Sequence, residues 1–192
     1  MSGFTMTMSE VLYSNWGPGT TTTTTTSQQS LIVGMPEIIV PGGFMKNVGR
    51  SSSTLRLKMG GLITSTASPT FTVGLYTTSV TPGAFLTTNL IVSSAAFTPV
   101  SVTNAPFSME LEIGLRTLTP GAASTVVSTG WIESPAGFSS PFRFTIPTTG
   151  TVTGYTAWEA DLQYFLWPYL QLSAATAGNT MTTEYAKLYG EN

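Results

Sequence analysis

Phe107-Ser108-Met109-Glu110-Leu111-Glu112-Ile113-Gly114-Leu115-Arg116 is the stretch that decides the fold class. Its odd positions are apolar throughout, and its even positions carry a hydroxyl, two carboxylates, a glycine and a guanidinium. A repeat of two is the signature of a strand with one face in a core and the other in water. Wound as a helix, the same residues would scatter their apolar groups around the girth.

The same period recurs on both sides. Leu55, Leu57 and Met59 alternate with Thr54, Arg56 and Lys58, and Leu62-Ile63 resumes after Gly60-Gly61. Phe71, Val73 and Leu75 alternate with Thr72 and Gly74. Leu86, Leu90, Ile91 and Val92 predict another strand, and further strands are expected at 124–133, 142–146, 151–158, 163–172 and 180–188. Turn residues separate them at Ala67-Ser68-Pro69, Thr81-Pro82-Gly83, Asn104-Ala105-Pro106, Thr119-Pro120-Gly121, Ser134-Pro135-Ala136-Gly137 and Ala177-Gly178-Asn179. Leu31-Ile32-Val33 and Ile38-Ile39-Val40 predict two short strands near an edge, because Pro36 and Pro41 cannot donate to a central ladder. Pro41-Gly42-Gly43 reads as a turn, and the one helix candidate is a short piece around Ala157 to Tyr164.

Many strands without a fixed-length repeat predict an all-β fold: an antiparallel β-sandwich, jelly-roll-like, with an extended N-terminal arm. Leu55, Leu57, Phe71, Val73, Leu75, Met109, Leu111, Ile113 and Leu115 are the expected core. The expected division is an arm at 1–30 and a sandwich at 31–192. The arm holds seven consecutive threonines, Thr20 to Thr26, which have no apolar alternation and define no buried face.

Composition narrows the function. The chain has 192 residues, of which 41% are hydrophobic and 8% charged, against roughly 25% charged in an ordinary domain. It has no Cys and no His, and seven basic residues against nine acidic. Disulfides and Cys-His or Ser-His-Asp catalysis are excluded. Nothing resembles the basic footprint of a nucleic-acid binder. No stretch reaches the ~18 apolar residues of a membrane helix. Met1 to Met8 lacks the basic and apolar regions of a signal peptide, which predicts synthesis in a cytoplasm. A weakly charged surface is a liability for a free monomer and tolerable in a permanent assembly.

Candidate chemistry is sparse. Glu110 and Glu112 share one strand face and read as solvated. Glu159 and Asp161 stand at the same spacing beside Trp158. An exposed loop is the plainer reading of that pair, and a weak calcium site the alternative. No catalytic residue, metal or cofactor is expected. The late aromatics Trp158, Tyr164, Phe165, Trp167, Tyr169, Tyr185 and Tyr189 suit a core or subunit interface, with a carbohydrate platform as the alternative.

Two runs carry a family resemblance: Leu55-Arg-Leu-Lys-Met-Gly-Gly-Leu-Ile-Thr-Ser-Thr66 with Ser68-Pro-Thr-Phe-Thr-Val-Gly-Leu-Tyr76, and Asn104-Ala-Pro-Phe-Ser-Met-Glu-Leu-Glu-Ile-Gly-Leu-Arg-Thr117. Together with the ending Asn179-Thr-Met-Thr-Thr-Glu-Tyr-Ala-Lys-Leu188, they resemble small β-rich virion proteins of tailed bacteriophages. The resemblance spans roughly residues 50–190 and includes no catalytic motif. It implies a virion structural role, either a capsid decoration (cement) protein or a minor tail or tail-tip protein with a receptor- or carbohydrate-binding sandwich. Decoration proteins commonly sit as trimers on the capsid lattice. The expected partners are therefore the major capsid protein and further copies of this chain. Expected inter-subunit contacts are Phe4, Met6, Met8, Leu12 and Trp16 in the arm, with Trp158, Trp167 and Tyr169 from the aromatic cluster.

Overall fold

The computed structural model describes residues 9–21, 26–46, 54–66, 68–79, 87–117, 124–139, 142–147, 155–159 and 161–191. Two antiparallel sheets face each other across one core. In chain order the strands are β1 (Ser9–Trp16), β2 (Gln29–Ser30), β3 (Ile38–Val40), β4 (Thr54–Thr66), β5 (Phe71–Thr78) and β6 (Leu90–Ser93). They continue with β7 (Ser101–Thr117), β8 (Ser124–Glu133), β9 (Arg143–Ile146), β10 (Tyr155–Trp158), β11 (Tyr164–Leu172) and β12 (Thr180–Glu191).

The large sheet runs β1-β12-β4-β7-β8-β10, with β9 also on β8. The small sheet runs β2-β11-β5-β6, with β3 also on β11. Consecutive strands β4 and β5 lie in different sheets. β4 pairs with β7 and β12, while β5 pairs with β6 and β11. Successive strand pairs are thus wound together across both layers, as in a jelly roll. No helix among the described residues is long and apolar enough to cross a membrane.

The alternation in the sequence sets the core. Leu55, Leu57, Phe71, Val73, Leu75, Met109, Leu111 and Ile113 are at most 1% exposed, and full burial of each such side chain contributes about 1.5–3 kcal/mol. Leu115 is only half-buried against the core. It lies past Gly114, where the paired register with β4 ends.

Several local expectations are corrected. Asn104-Ala105-Pro106 is no turn: it lies inside β7, where Asn104 takes φ 53° and absorbs a register shift against β4. Asparagine tolerates that left-handed conformation, and the Asn104 N–H donates to Thr64 Oγ1 at 3.1 Å. Pro106 costs no ladder on its far side, because pairing with β8 begins only at Ser108. Leu31-Ile32-Val33 is a turn, closed by the Met35 N–H donating to the Ile32 carbonyl at 3.0 Å. Gly34 follows at φ 78°. The strand lies just before it, at Gln29–Ser30, while Leu31 and Ile32 plug the core. The helix candidate at Ala157 to Tyr164 is two strand ends around a turn, in which the Leu162 N–H reaches the Glu159 carbonyl at 3.0 Å. Leu86 lies outside the described residues.

Proline placement explains the small sheet's edge. Pro168 stands in β11, opposite Leu75 of β5. On its other side β3 pairs at 164–166 and β2 at Tyr169 and Leu170, so Pro168 falls in the gap between them. A residue without an N–H is tolerated there.

The N-terminal region also departs from expectation. Ser9–Trp16 is an edge strand of the chain's own large sheet, paired with β12 from Glu191 to Tyr185. The segment after it is also held on the sandwich. Gly19 N–H donates to the Thr183 carbonyl at 2.7 Å and Thr20 N–H to the Val33 carbonyl at 2.6 Å. The Thr21 and Thr182 hydroxyls are 2.8 Å apart. A strand lacking strong alternation acquires its register from its partner, β12, which alternates without a break over Tyr185 to Glu191, the part that faces β1. Thr22 to Thr25 lie outside the described residues.

Candidate functional site: the outer face of the large sheet

Strand register assembles this face in rows. Trp16, Tyr185, Gly60, Ser108 and Glu133 follow one another across β1, β12, β4, β7 and β8. The next row is Ser14, Lys187, Lys58, Glu110 and Trp131. The one after holds Val11, Tyr189, Arg56, Glu112 and Thr129. Residues far apart in the chain thus form a continuous surface, because each is the outward member of an alternating strand.

The charges pair across strands. Arg56 lies 3.5 Å from Glu110 and 3.2 Å from Glu191, and Lys58 Nζ lies 3.3 Å from Glu110. Arg143 contacts Glu133 at 2.8 Å and places its guanidinium carbon 4.3 Å from the centroid of the Trp131 ring. Ser108 Oγ donates to Glu133 at 3.3 Å. Half-exposed pairs of this kind contribute at most about 1 kcal/mol each. Their larger effect is electrical balance: Arg56, Lys58, Arg143 and Lys187 stand against Glu110, Glu112, Glu133 and Glu191. Those are four of the chain's seven basic residues.

Aromatic rings mark both flanks. Trp16 is 70% exposed. Its ring stacks on Tyr185, with centroids 5.2 Å apart and planes at 25°, and Lys187 Nζ sits 4.4 Å from its centroid. Tyr185 in turn lies over Gly60, where an added β-carbon would come within 2.9 Å of the tyrosine ring and hydroxyl. Trp131 marks the other flank.

The late aromatics, adjacent in sequence, are split three ways. Trp158 and Tyr164 point into the core and stack, with centroids 3.8 Å apart and planes at 16°. Tyr164's hydroxyl accepts from the Glu159 N–H at 2.7 Å and donates to the Ala157 carbonyl at 3.2 Å. Phe165 and Tyr169 alternate with core residues of β11 and so project from the opposite side of the small sheet, while Trp167, also at an alternate position, is partly buried with contacts to the core cluster. There Tyr169 packs 4.9 Å from Tyr76 and donates to Ser93 Oγ at 2.9 Å. Tyr185 and Tyr189 belong to the outer face of the large sheet.

Trp158 is 1% exposed and Tyr169 2%, which corrects their assignment as contacts for a neighbouring subunit: no other chain can touch a side chain so enclosed. Trp167 is half-buried, and Leu12 is half-buried against the core. Trp16 is the one expected contact fully on the surface among the described residues. Phe4, Met6 and Met8 lie outside them. Glu159 and Asp161 are exposed at the β10–β11 turn, and no group of three potential metal ligands occurs among the described residues.

Sequence reasoning missed Tyr185 with Lys187 and Trp131 with Arg143 as surface partners. The available signal was that Arg56/Lys58 and Glu110/Glu112 each alternate with a core set, so two outward faces of opposite sign await pairing.

Burial raises the pKa values of five tyrosines. Tyr169 is pushed up to about 12, chiefly by desolvation, with the Ser93 hydrogen bond acting the other way. Tyr13, Tyr76, Tyr155 and Tyr164 are raised from the same leading cause. A tyrosine in the unfolded chain ionises near pH 10. The unfolded state therefore loses its proton first, and Tyr169's contribution, intact below pH 10, disappears as pH rises towards 12. We expect Tyr169 alone to remove on the order of 3 kcal/mol of stability across that window. Urea midpoints from pH 9 to 12 check this: Tyr169→Phe should flatten the fall, and an unchanged slope would refute it.

No protein-family model and no curated protein matches the sequence. Among solved structures, the chain is similar to a protein of unknown function from Shewanella oneidensis MR-1, at 12% identity and a TM-score of 0.36. That match covers 95% of this chain and 78% of the other. It is also similar to SCLam, a non-specific endo-β-1,3(4)-glucanase of family GH16, at 8% identity and a TM-score of 0.32. Here 94% of this chain and 91% of the other are covered.

Proposed function

We propose that this chain is a virion structural protein: a capsid decoration (cement) subunit that docks on an assembled protein lattice through the outer face of its large sheet. The carrying observation is the make-up of that face. Trp16, Tyr185 and Trp131 stand there with Arg56 and Arg143 among charges of balanced sign. Aromatic residues and arginine are the types enriched in protein interfaces. Balanced charges suit a patterned protein partner better than a polyanion, which would require an excess of basic residues. The resemblance of the β4–β5 and β7 sequences to phage virion proteins supports the particle as the setting. The absence of His and Cys from the whole chain favours binding over catalysis.

The test is co-sedimentation of the purified chain with particles, lacking it, of the virus that encodes it. Binding should saturate at hundreds of copies per particle. Trp16→Ala with Trp131→Ala should weaken it at least tenfold without lowering the melting temperature by more than a few degrees, because hot-spot aromatics are worth ~2 kcal/mol or more. Saturation at a few copies would shift the reading to a minor tail protein. Binding to free glycans that requires the exposed Trp16 ring would make it a receptor-binding tip. No particle binding at micromolar concentration would overturn the virion role.

A further inference from the structure

The strand edges of this sandwich are unequal. β2 has two residues, β3 three, and β6, β9 and β10 four each. Pro36 and Pro41 flank β3, and Pro147 follows β9. Short edges and prolines are the usual means of preventing strands from joining end to end between molecules. β1 has neither: it is eight residues long, contains no proline and no lysine, and ends the large sheet, with β12 its one ladder partner among the described residues. Val11, 55% exposed, and Trp16, 70% exposed, both lie on it.

We propose that β1 pairs antiparallel with β1 of a second copy across a twofold axis, joining the two large sheets into one. The strand's own register selects this occupant. Ser9, Val11, Ser14 and Trp16 are matched to the outward residues Glu191, Tyr189, Lys187 and Tyr185 of β12. Glu10, Tyr13 and Asn15 are matched to the inward Gly190, Leu188 and Ala186, and Leu12 packs against the core. The shift between Val11 and Tyr13 makes this pattern symmetric about the Leu12–Tyr13 bond. Directly opposed residues in an antiparallel pair must share a face. Pairing Ser9 with Trp16, Glu10 with Asn15, Val11 with Ser14 and Leu12 with Tyr13 of the second copy satisfies this at all eight positions, and slipping by one residue breaks it. In that register Glu10, the strand's one charge, meets a neutral amide. Val11 becomes the diagonal neighbour of the second copy's Trp16, within reach of a large ring. Edges this short bury less than the ~800 Å² per partner of a standard interface, so the free dimer is weak and concentration-dependent.

This goes beyond particle docking and is tested without particles. The chain has no cysteine, so Val11→Cys with Ser14→Cys reports cleanly. Within one molecule the two thiols are three extended residues apart, ~10 Å along the strand, too far to bridge. Across the twofold axis they face each other. Mild oxidation at 100 μM should convert most of the chain to a covalent dimer, against only slow coupling for a Val33→Cys control. The wild type should sediment as a monomer–dimer equilibrium, and Val11→Lys as a monomer with an unchanged melt. A trimer, coupling no faster than the control, or a Val11→Lys dimer would overturn the proposal. Lost particle binding with an intact dimer would instead count against the decoration role.

Discussion

Trp158→Ala is expected to lower the free energy of unfolding by about 3–5 kcal/mol, a large share of the ~5–15 kcal/mol that holds a typical domain together. The indole is fully enclosed and lies flat on Tyr164. Its removal leaves a cavity that Tyr164 cannot collapse into, because the tyrosine hydroxyl is tied to the backbone at Ala157 and Glu159. Trp131→Ala, on the outer face, should cost under about 1 kcal/mol. Urea denaturation followed by far-UV circular dichroism measures both. Equal losses would mean that Trp158 does not occupy the core.

Two glycines should behave in opposite ways. Gly130 of β8 pairs with Leu111 on one side and Ile146 on the other. A β-carbon there would overlap the carbonyl oxygen of Glu110 and come within 2.9 Å of Leu111 Cα, both main-chain atoms of the central strand. No side chain can turn aside to relieve that, so Gly130→Ala should destabilise by about 3 kcal/mol or more. Gly114 of β7 has only Thr54 Cγ2 near its added β-carbon, at 3.8 Å, an ordinary contact. Gly114→Ala should therefore stabilise, by about 0.4–1 kcal/mol, through the lost freedom of the unfolded chain. Paired melts decide this, and two shifts of the same sign would contradict it.

What the sequence made legible was whatever depends on a period of two. Leu55, Met109 and Ile113 could be placed in the core because each strand repeats its own apolar set. Features that depend on which strand lies beside which were not legible. Nothing local says that Arg56 will face Glu110 and Glu191, or that Tyr185 will lie over Gly60 with Trp16 upon it. Those contacts follow from pairing between strands far apart in the chain. The aromatic cluster failed for a related reason. Trp158, Trp167 and Tyr169 looked alike in composition, yet the turn after Trp158 and the alternation of β11 send them to different sides of the small sheet. Asn104-Ala105-Pro106 misled because residues that favour a turn also favour a bulge, and only the partner strand decides between them. The arm expected at 1–30 rests on the threonine run, which defines no face, whereas Ser9–Trp16 ahead of that run takes its order from β12.

The break in the small sheet's edge at Pro168 has a consequence for growth. With β2 and β3 separated by a residue that cannot donate, that side of the molecule offers no continuous template, and polymerisation through the small sheet has nowhere to start. Among the described residues the large sheet keeps a single long template, at β1, and a symmetric partner consumes both copies of it at once. A sandwich with one joinable edge can close but cannot propagate. So weakly charged a chain can therefore reach high concentration without forming fibres.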